Sequence, residues 1–193
     1  MAEDAVLSET EGLTVRREDA VGMVTLKADL SVAPVAAAIE AATGAPIPAR
    51  LRASVGEGDA GPATVVWMAP DEVLIVSAPE AAGGVVEMLE TRLAGNHVLA
   101  LDMSSARAVF WLEGPRWREV IAKGAPVDLR PAAFGAGTAR RTHLGQVAVG
   151  FWADPADANR VTLVCFRSVA DYVAAWLIEA ARPEGAVGLF AEA

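Results

Sequence analysis

Few residues in this chain have the type and spacing that chemistry demands. His97 and His143 stand 46 positions apart, with no second ligand at metal spacing beside either. Zinc or non-haem iron needs three or four converging donors, so neither histidine reads as a ligand. The single cysteine, Cys165, lies in the apolar run Val161, Leu163, Val164, Phe166 and reads as a small buried hydrophobe. There is no Gly-x-Ser-x-Gly elbow and no Cys–His pair for nucleophilic catalysis. Gly135-Ala-Gly137-Thr-Ala-Arg140 matches half of a dinucleotide fingerprint, with arginine where the third glycine belongs. It does not join a parallel strand to its helix, so it reads as a loop. The acidic pairs Glu18-Asp19 and Asp71-Glu72 fall in tail and turn contexts, where solvated charge is the ordinary outcome. Trp67, Trp111 and Trp117 fall at core-facing positions and read as packing.

One stretch resists so plain a reading. Gly124–Gly137 has no periodicity, and Arg140, Arg141 and His143 follow it. Long irregular segments in compact domains are usually functional or bound to a partner. Ala125, Pro126, Val127, Leu129 and Phe134 make this one apolar, and nearby arginines suit the centre of a protein interface. Phe134, Arg140, Arg141 and His143 are therefore the candidate interface residues. A loop packed on its own core accounts for the composition equally well.

These residues must be positioned by a chain of 193 residues, 53% hydrophobic and 21% charged. That is one medium domain or two small ones. Such a composition excludes a disordered tail, a disulfide scaffold and a cysteine-based zinc finger. Sixteen basic and twenty-five acidic residues give a net charge of −9. Without a basic face, nucleic acid is a poor partner. The best apolar runs, such as Val73–Val76, fall short of the roughly 20 residues a membrane span needs. The acidic start Met1-Ala-Glu-Asp4 opens no secretory signal, and the expected location is the cytoplasm.

Residues 1–20 are polar and predict a loosely held extension. Alternation over Val21–Leu26 predicts a strand, and a helix follows Ser31 and closes at Gly44. Gly56–Pro62 holds too much glycine and proline for regular structure. Thr64–Met68 and Val73–Val76 predict a hairpin across Pro70-Asp71. Ser77-Ala-Pro-Glu80 has capping-box spacing, with a helix behind it to about Ala94 and a strand at Val98–Met103. The order then repeats: a strand at Ala106–Leu112 and a helix after Gly114-Pro115 that ends at Gly124, with Lys123 near its negative end. A hairpin of Gln146–Trp152 and Arg160–Phe166 follows. A second capping box at Ser168–Asp171 then opens a helix, and Val187–Phe190 supplies a closing strand. Two consecutive ferredoxin-like βαββαβ units result, an α+β fold of mostly antiparallel sheets with helices on one face. The boundaries are an extension over 1–20 and subdomains over 21–103 and 104–193.

Specific strings carry a family resemblance. Leu112-Glu-Gly-Pro115, Lys123-Gly-Ala-Pro-Val-Asp-Leu129, Ala133-Phe-Gly135, Thr142-His-Leu144 and Arg167-Ser-Val-Ala-Asp-Tyr172 with Trp176-Leu177 resemble the gamma subunit of heterotetrameric sarcosine oxidase. Trp67-Met-Ala-Pro-Asp-Glu72 resembles that family's first-half hairpin. The likeness covers about residues 20–182, with His143 in place of arginine and Val73 in place of tryptophan. The family in turn is similar to the folate-binding domain of the aminomethyltransferases, and the second subdomain resembles that fold.

The resemblance implies a complex that oxidises sarcosine to glycine, forming hydrogen peroxide and, with tetrahydrofolate, methylenetetrahydrofolate. FAD, FMN, NAD and zinc would sit in the alpha, beta and delta subunits. This chain would hold no cofactor, would be inactive alone and would steady the larger subunits. The rival is a free-standing folate-dependent one-carbon transferase, with Asp171 as the carboxylate converging on a pterin pocket. Cys165-Phe166-Arg167 replaces the asparagine-containing folate-contact stretch, which argues against folate chemistry in this chain alone.

Overall fold

The computed structural model describes residues 5–59 and 61–190. They fall into two compact units, one of residues 20–105 and the other of the described parts of 1–19 and 106–193. In chain order the strands of the first half are β1 (Ala5–Thr10), β2 (Leu13–Glu18), β3 (Gly22–Lys27), β4 (Ala53–Gly58), β5 (Gly61–Ala69), β6 (Glu72–Ser77) and β7 (Leu99–Asp102). Helix α1 (Ala33–Thr43) follows β3, and α2 (Ala82–Arg92) follows β6. The second half holds β8 (Arg107–Glu113), α3 (Trp117–Ala122), β9 (Ala139–Leu144), β10 (Val147–Ala153), β11 (Arg160–Phe166) and α4 (Ala170–Ala180). No helix among the described residues is long and apolar enough to cross a membrane.

The 20–105 unit is a five-stranded antiparallel sheet in the order β4-β5-β6-β3-β7. Without β4, this is the ferredoxin-like βαββαβ arrangement expected from the sequence. Helices α1 and α2 seal one face: Val24, Leu26, Val65, Val73 and Ile75 meet Val35, Ile39, Val85 and Leu89. Met23 and Leu74, one residue out of phase, are buried as well, so the strands read as continuous apolar runs rather than clean alternation.

Residues 56–58, 61 and 62 are not the irregular connection that the glycines of this stretch suggest. They belong to the β4–β5 hairpin, with Gly56 opposite Ala63 and Gly58 opposite Gly61. The glycines answer a packing demand from α1. That helix ends at Gly44 in the left-handed conformation (φ 65°), and its terminus runs directly over β4. A Cβ added at Gly56 would lie 2.2 Å from the Gly44 carbonyl carbon. Only glycine lets the two backbones approach so closely.

The second unit is a six-stranded antiparallel sheet in the order β1-β2-β8-β11-β10-β9. Its core joins Phe110, Leu112, Phe151 and Leu163 of the sheet to Trp117, Ile121, Val173 and Leu177 of α3 and α4. The expected closing strand at Val187–Phe190 does not form; a 3-10 turn at Pro183–Gly185 leads into irregular chain there. The place beside β8 is taken by β2, with Val15 opposite Leu112 and Arg17 opposite Phe110. The expected loose extension is thus a β1–β2 hairpin from residue 5 onward, and Leu13 and Val15 are buried in the core. Two apolar residues at period two suffice when a ready-made strand edge waits beside them. Residues 139–144, which show no apolar alternation, form the other edge strand, β9.

Neither capping box forms. A 3-10 turn precedes each helix, at Pro79–Ala81 and at Arg167–Val169, and no side-chain cap is made. The i→i+3 bonds Ala81 N–H to Ala78 O and Ala170 N–H to Arg167 O take over donors that a cap would otherwise serve. Glycine substitutions separate crowding from conformational freedom. Gly56→Ala is expected to cost about 3 kcal/mol through overpacking. Gly83→Ala, where a Cβ meets nothing within 4 Å, should stabilise by about 0.5 kcal/mol. Chemical denaturation of the two variants checks both signs.

Candidate functional site

Helix α3 is short, and its apolar residues Trp117, Val120 and Ile121 already point inward. A six-residue helix packed this closely also buries Arg118 and Glu119, each under a tenth exposed. Buried charges are costly unless they are hydrogen-bonded, and both are. Arg118 Nη1 donates to the Leu129 and Phe134 carbonyls at 3.0 and 2.7 Å. Its guanidinium also lies 4.3 Å from the Trp117 ring centroid. Burial lowers the pKa of Arg118, yet a guanidinium stays protonated at any physiological pH.

Glu119 faces the other way. Its Oε1 and Oε2 accept from the backbone N–H groups of Val187 and Gly188 at 2.6 and 3.1 Å. Lys123 Nζ donates to the Ala180 carbonyl at 2.7 Å, at the C-terminal end of α4. The lysine therefore serves the dipole of a neighbouring helix rather than that of its own. Arg116 donates to the carbonyls of Glu11, in the β1–β2 turn, and of Ala181. Four charged side chains from one short segment thus hold the long connection, the tail, the N-terminal hairpin and the end of α4. Composition alone does not single out Arg118 and Glu119. The legible signal is that a helix carrying Trp117, Val120 and Ile121 in so few residues has little exposed arc left.

The candidate interface residues separate into two pairs. Phe134 is completely buried, stacked on Phe151 at 5.3 Å and edge-on to Trp117 at 5.8 Å. A partner cannot reach its side chain. Arg140 stands opposite Phe151 in the β9–β10 ladder, on the core side, with its guanidinium 5.6 Å from the Phe134 ring. It also donates to the Ala139 carbonyl. Arg141 and His143 stand opposite Gly150 and Ala148, on the other face of the edge strand, and are exposed. The region between α3 and β9 is consequently a packed connection pinned by Arg118.

Asp171 does not converge on a cavity. Its side chain is fully exposed and pairs with Arg17 at 3.1 Å, while Arg17 also binds Asp19 at 2.9 Å. Cys165 is buried, and burial pushes its thiol up to about 11, with Arg17 and Arg167 opposing the shift. It is a packed thiol at neutral pH. Among the described residues, no three His, Cys, Asp or Glu side chains are grouped so as to hold a metal ion.

The model of the sarcosine oxidase, gamma subunit family matches residues 27–183. The chain belongs to that family. Sarcosine oxidase subunit gamma of Corynebacterium sp. (strain U-96) is 35% identical over 146 residues, which cover 75% of this chain and 67% of the relative. The subunit gamma of Arthrobacter sp. is 35% identical over 156 residues, covering 79% and 73%. A chain of the heterotetrameric sarcosine oxidase from Corynebacterium sp. U-96, solved with pyrrole 2-carboxylate, superposes with a TM-score of 0.78 at 27% identity, covering 94% of this chain and 90% of that one. The glycine cleavage system aminomethyltransferase T from Bartonella henselae shares the fold, with a TM-score of 0.63 at 12% identity over 86% of this chain and 45% of the other.

The geometry around α3 makes two measurable claims. Arg118→Met keeps the apolar stem but orphans two buried carbonyls, and denaturant melts should show a loss of about 3 kcal/mol. Cys165 should react slowly with a thiol-specific disulfide reagent at pH 7.5 in the folded chain and fully after unfolding. Fast reaction of the folded chain contradicts its placement.

Proposed function

We propose that this chain is the non-catalytic gamma subunit of a heterotetrameric sarcosine oxidase, docked onto the larger subunits and steadying them. The complex oxidatively demethylates sarcosine to glycine in the cytoplasm, forming hydrogen peroxide and, with tetrahydrofolate, methylenetetrahydrofolate. Its FAD, FMN, NAD and zinc belong to the alpha, beta and delta subunits. The observation that carries this reading is the superposition at a TM-score of 0.78, over 94% of the chain, on a subunit of such an oxidase. The use of the chain's buried charges supports it too. Arg118 and Glu119 are bonded to backbone groups of the chain itself, which favours a part that contributes shape.

Within this reading, the exposed face of β9 is one contact surface. Arg141 and His143 stand on it, while Phe134 and Arg140 support it from the core side. Interfaces are enriched in arginine, and exposed arginines on an edge strand also deter unwanted pairing.

Co-expression of the tagged chain with the larger subunits tests the proposal. Flavin-containing chains should co-elute with it, and elution of the tagged chain by itself would overturn the reading. Arg141→Glu with His143→Glu should weaken co-elution without unfolding the chain. Arg140→Glu should lower the melting temperature, because it places a carboxylate against the face of Phe134.

A further inference from the structure

A sheet edge presents unpaired N–H and C=O groups, and proteins blunt such edges with charge, bulges, glycine or short length. Among the described residues the two sheets have four edges. Strand β9 carries Arg140, Arg141 and His143. Strand β1 has a register shift between Val6 and Ser8. Strand β4 holds Gly56, Glu57 and Gly58 beneath the end of α1. Strand β7 is blunted by its short length and by Asp102 at one end, and lacks the register shift, overlying helix end or run of basic residues that the other three carry. Its four residues Leu99-Ala-Leu-Asp102 pair with β3 in unbroken register, and its outer edge carries no strand.

The alternation on β7 is unusual for an edge in contact with water. Ala100 points to the helix-covered core, whereas Leu99 and Leu101 on the other face are 48% and 45% exposed. Ladder groups and two apolar side chains at period two are thus offered together, as strand addition requires. An open groove of about 750 Å³ begins at Leu99 and is lined by Lys27, Asp29, Asp71 and His97. Lys27 pairs with Glu72 at 3.7 Å. Asp29 is held in place by the N–H and hydroxyl of Ser31, at 3.0 and 2.6 Å, and those bonds lower its pKa. Residues 20–105 hold four basic and ten acidic residues, a net −6. The charge therefore selects a basic occupant.

We propose that β7 is a strand-addition site for an extended segment of a larger subunit of the same oxidase, with apolar residues over Leu99 and Leu101 and a Lys or Arg entering the groove beside Asp29 and Asp71. The proposal rests on the reading of the chain as an oxidase subunit and adds the surface and the chemistry of the segment it receives. An apolar pair on an edge guarded by little beyond its shortness can draw in a strand, and the carboxylates fix which end of that strand carries the cation.

The test compares hydrogen exchange of the chain alone and in the purified complex, alongside Leu99→Lys/Leu101→Lys. In the complex, amides over residues 99–102 should gain protection. The double variant should melt like the wild type and recover at least about tenfold less of the larger subunits. Asp29→Asn/Asp71→Asn should make recovery of the complex less sensitive to salt, because the ionic contact is lost. If the wild type assembles while residues 99–102 exchange unchanged, the edge proposal fails and the subunit reading stands. If the wild type does not assemble at all, both fail. Protection of residues 99–102 in the isolated chain, with a dimer on gel filtration, would assign the edge to a second copy and overturn the proposal. Should the double variant unfold, the wild-type exchange measurement decides alone.

Discussion

The free edge of β8 is the constraint around which the second unit is built. A strand in the middle of a sheet must find partners for its backbone groups on both sides, because buried unpaired N–H and C=O groups are costly. On one side β11 supplies them. On the other, the chain after α4 is interrupted by Pro183, Gly185 and Gly188, and it forms no strand through residue 190. Strand β2 fills the gap with a ladder from Thr14 to Glu18, and it adds Leu13 and Val15 to the core. In the other unit the equivalent place beside β3 goes to β7, which follows its own helix in the expected order. The two units are therefore closed differently although their architecture is shared. The residues of the 20–105 unit are inserted in sequence between β2 and β8. Partners that lie about 100 residues apart in the chain must then meet, a non-local contact whose loop-closure cost delays it relative to local hairpins such as β10–β11.

With the sheet closed, α3 organises what the sheet leaves loose. Residues 123–137 contain no helix and no strand, and their backbone hydrogen bonds are those of turns and isolated contacts. Arg118 substitutes for a ladder by presenting two donors to two carbonyls, and Phe134 is drawn into an aromatic group with Phe151 and Trp117. Glu119 does the converse, presenting two acceptors to two N–H groups of the tail. Both side chains suit these tasks because one guanidinium nitrogen carries two N–H donors and a carboxylate carries two acceptor oxygens. The desolvation cost of burying them is offset by charge-assisted hydrogen bonds, so the aperiodic part of the chain is ordered at the price of two internal charges.

The fold class was legible because its strongest signals are local. Val21–Leu26, Val73–Val76 and the Pro70-Asp71 turn describe β3, β6 and their neighbours without reference to anything distant. The misreadings have a common physical cause, which is that the deciding partner lies elsewhere in the chain. Strand β2 has only Leu13 and Val15 between charged residues and becomes a strand because β8 needs a neighbour. Gly56 and Gly58 read as loop residues because their packing partner, Gly44, is the end of an earlier helix. The capping-box spacing was present, but 3-10 turns served the helix starts first. Phe134 reads equally as an interface residue or as part of a packed loop because nothing local announces Arg118 as its anchor. The family strings were legible, and the structure explains several of their residues. Lys123 holds the end of α4, and a Cβ at Gly124 would lie 2.5 Å from the Trp176 ring. Asp128 is held down to about 2 by hydrogen bonds from Arg130, and Leu129 is buried.

The likeness to an aminomethyltransferase fold at 12% identity is a likeness of architecture alone. Its requirements are apolar runs along strands, glycine where a helix end meets a strand, and enough volume between sheet and helices. All of these are met here by apolar residues and glycines packed on one another. Sites are grafted onto folds through groups left free to face a substrate, and in this chain the groups best placed by burial, Arg118 and Glu119, are bound to the chain's own backbone. Among the described residues, the sheet rims also offer exposed groups, Arg141 and His143 on β9 and Leu99 and Leu101 on β7. A rim recognises extended chain and surface charge far better than it recognises a small molecule, because it offers long rows of donors and acceptors but no enclosure. On the proposed reading, these edges are where the chain meets the larger subunits of the oxidase.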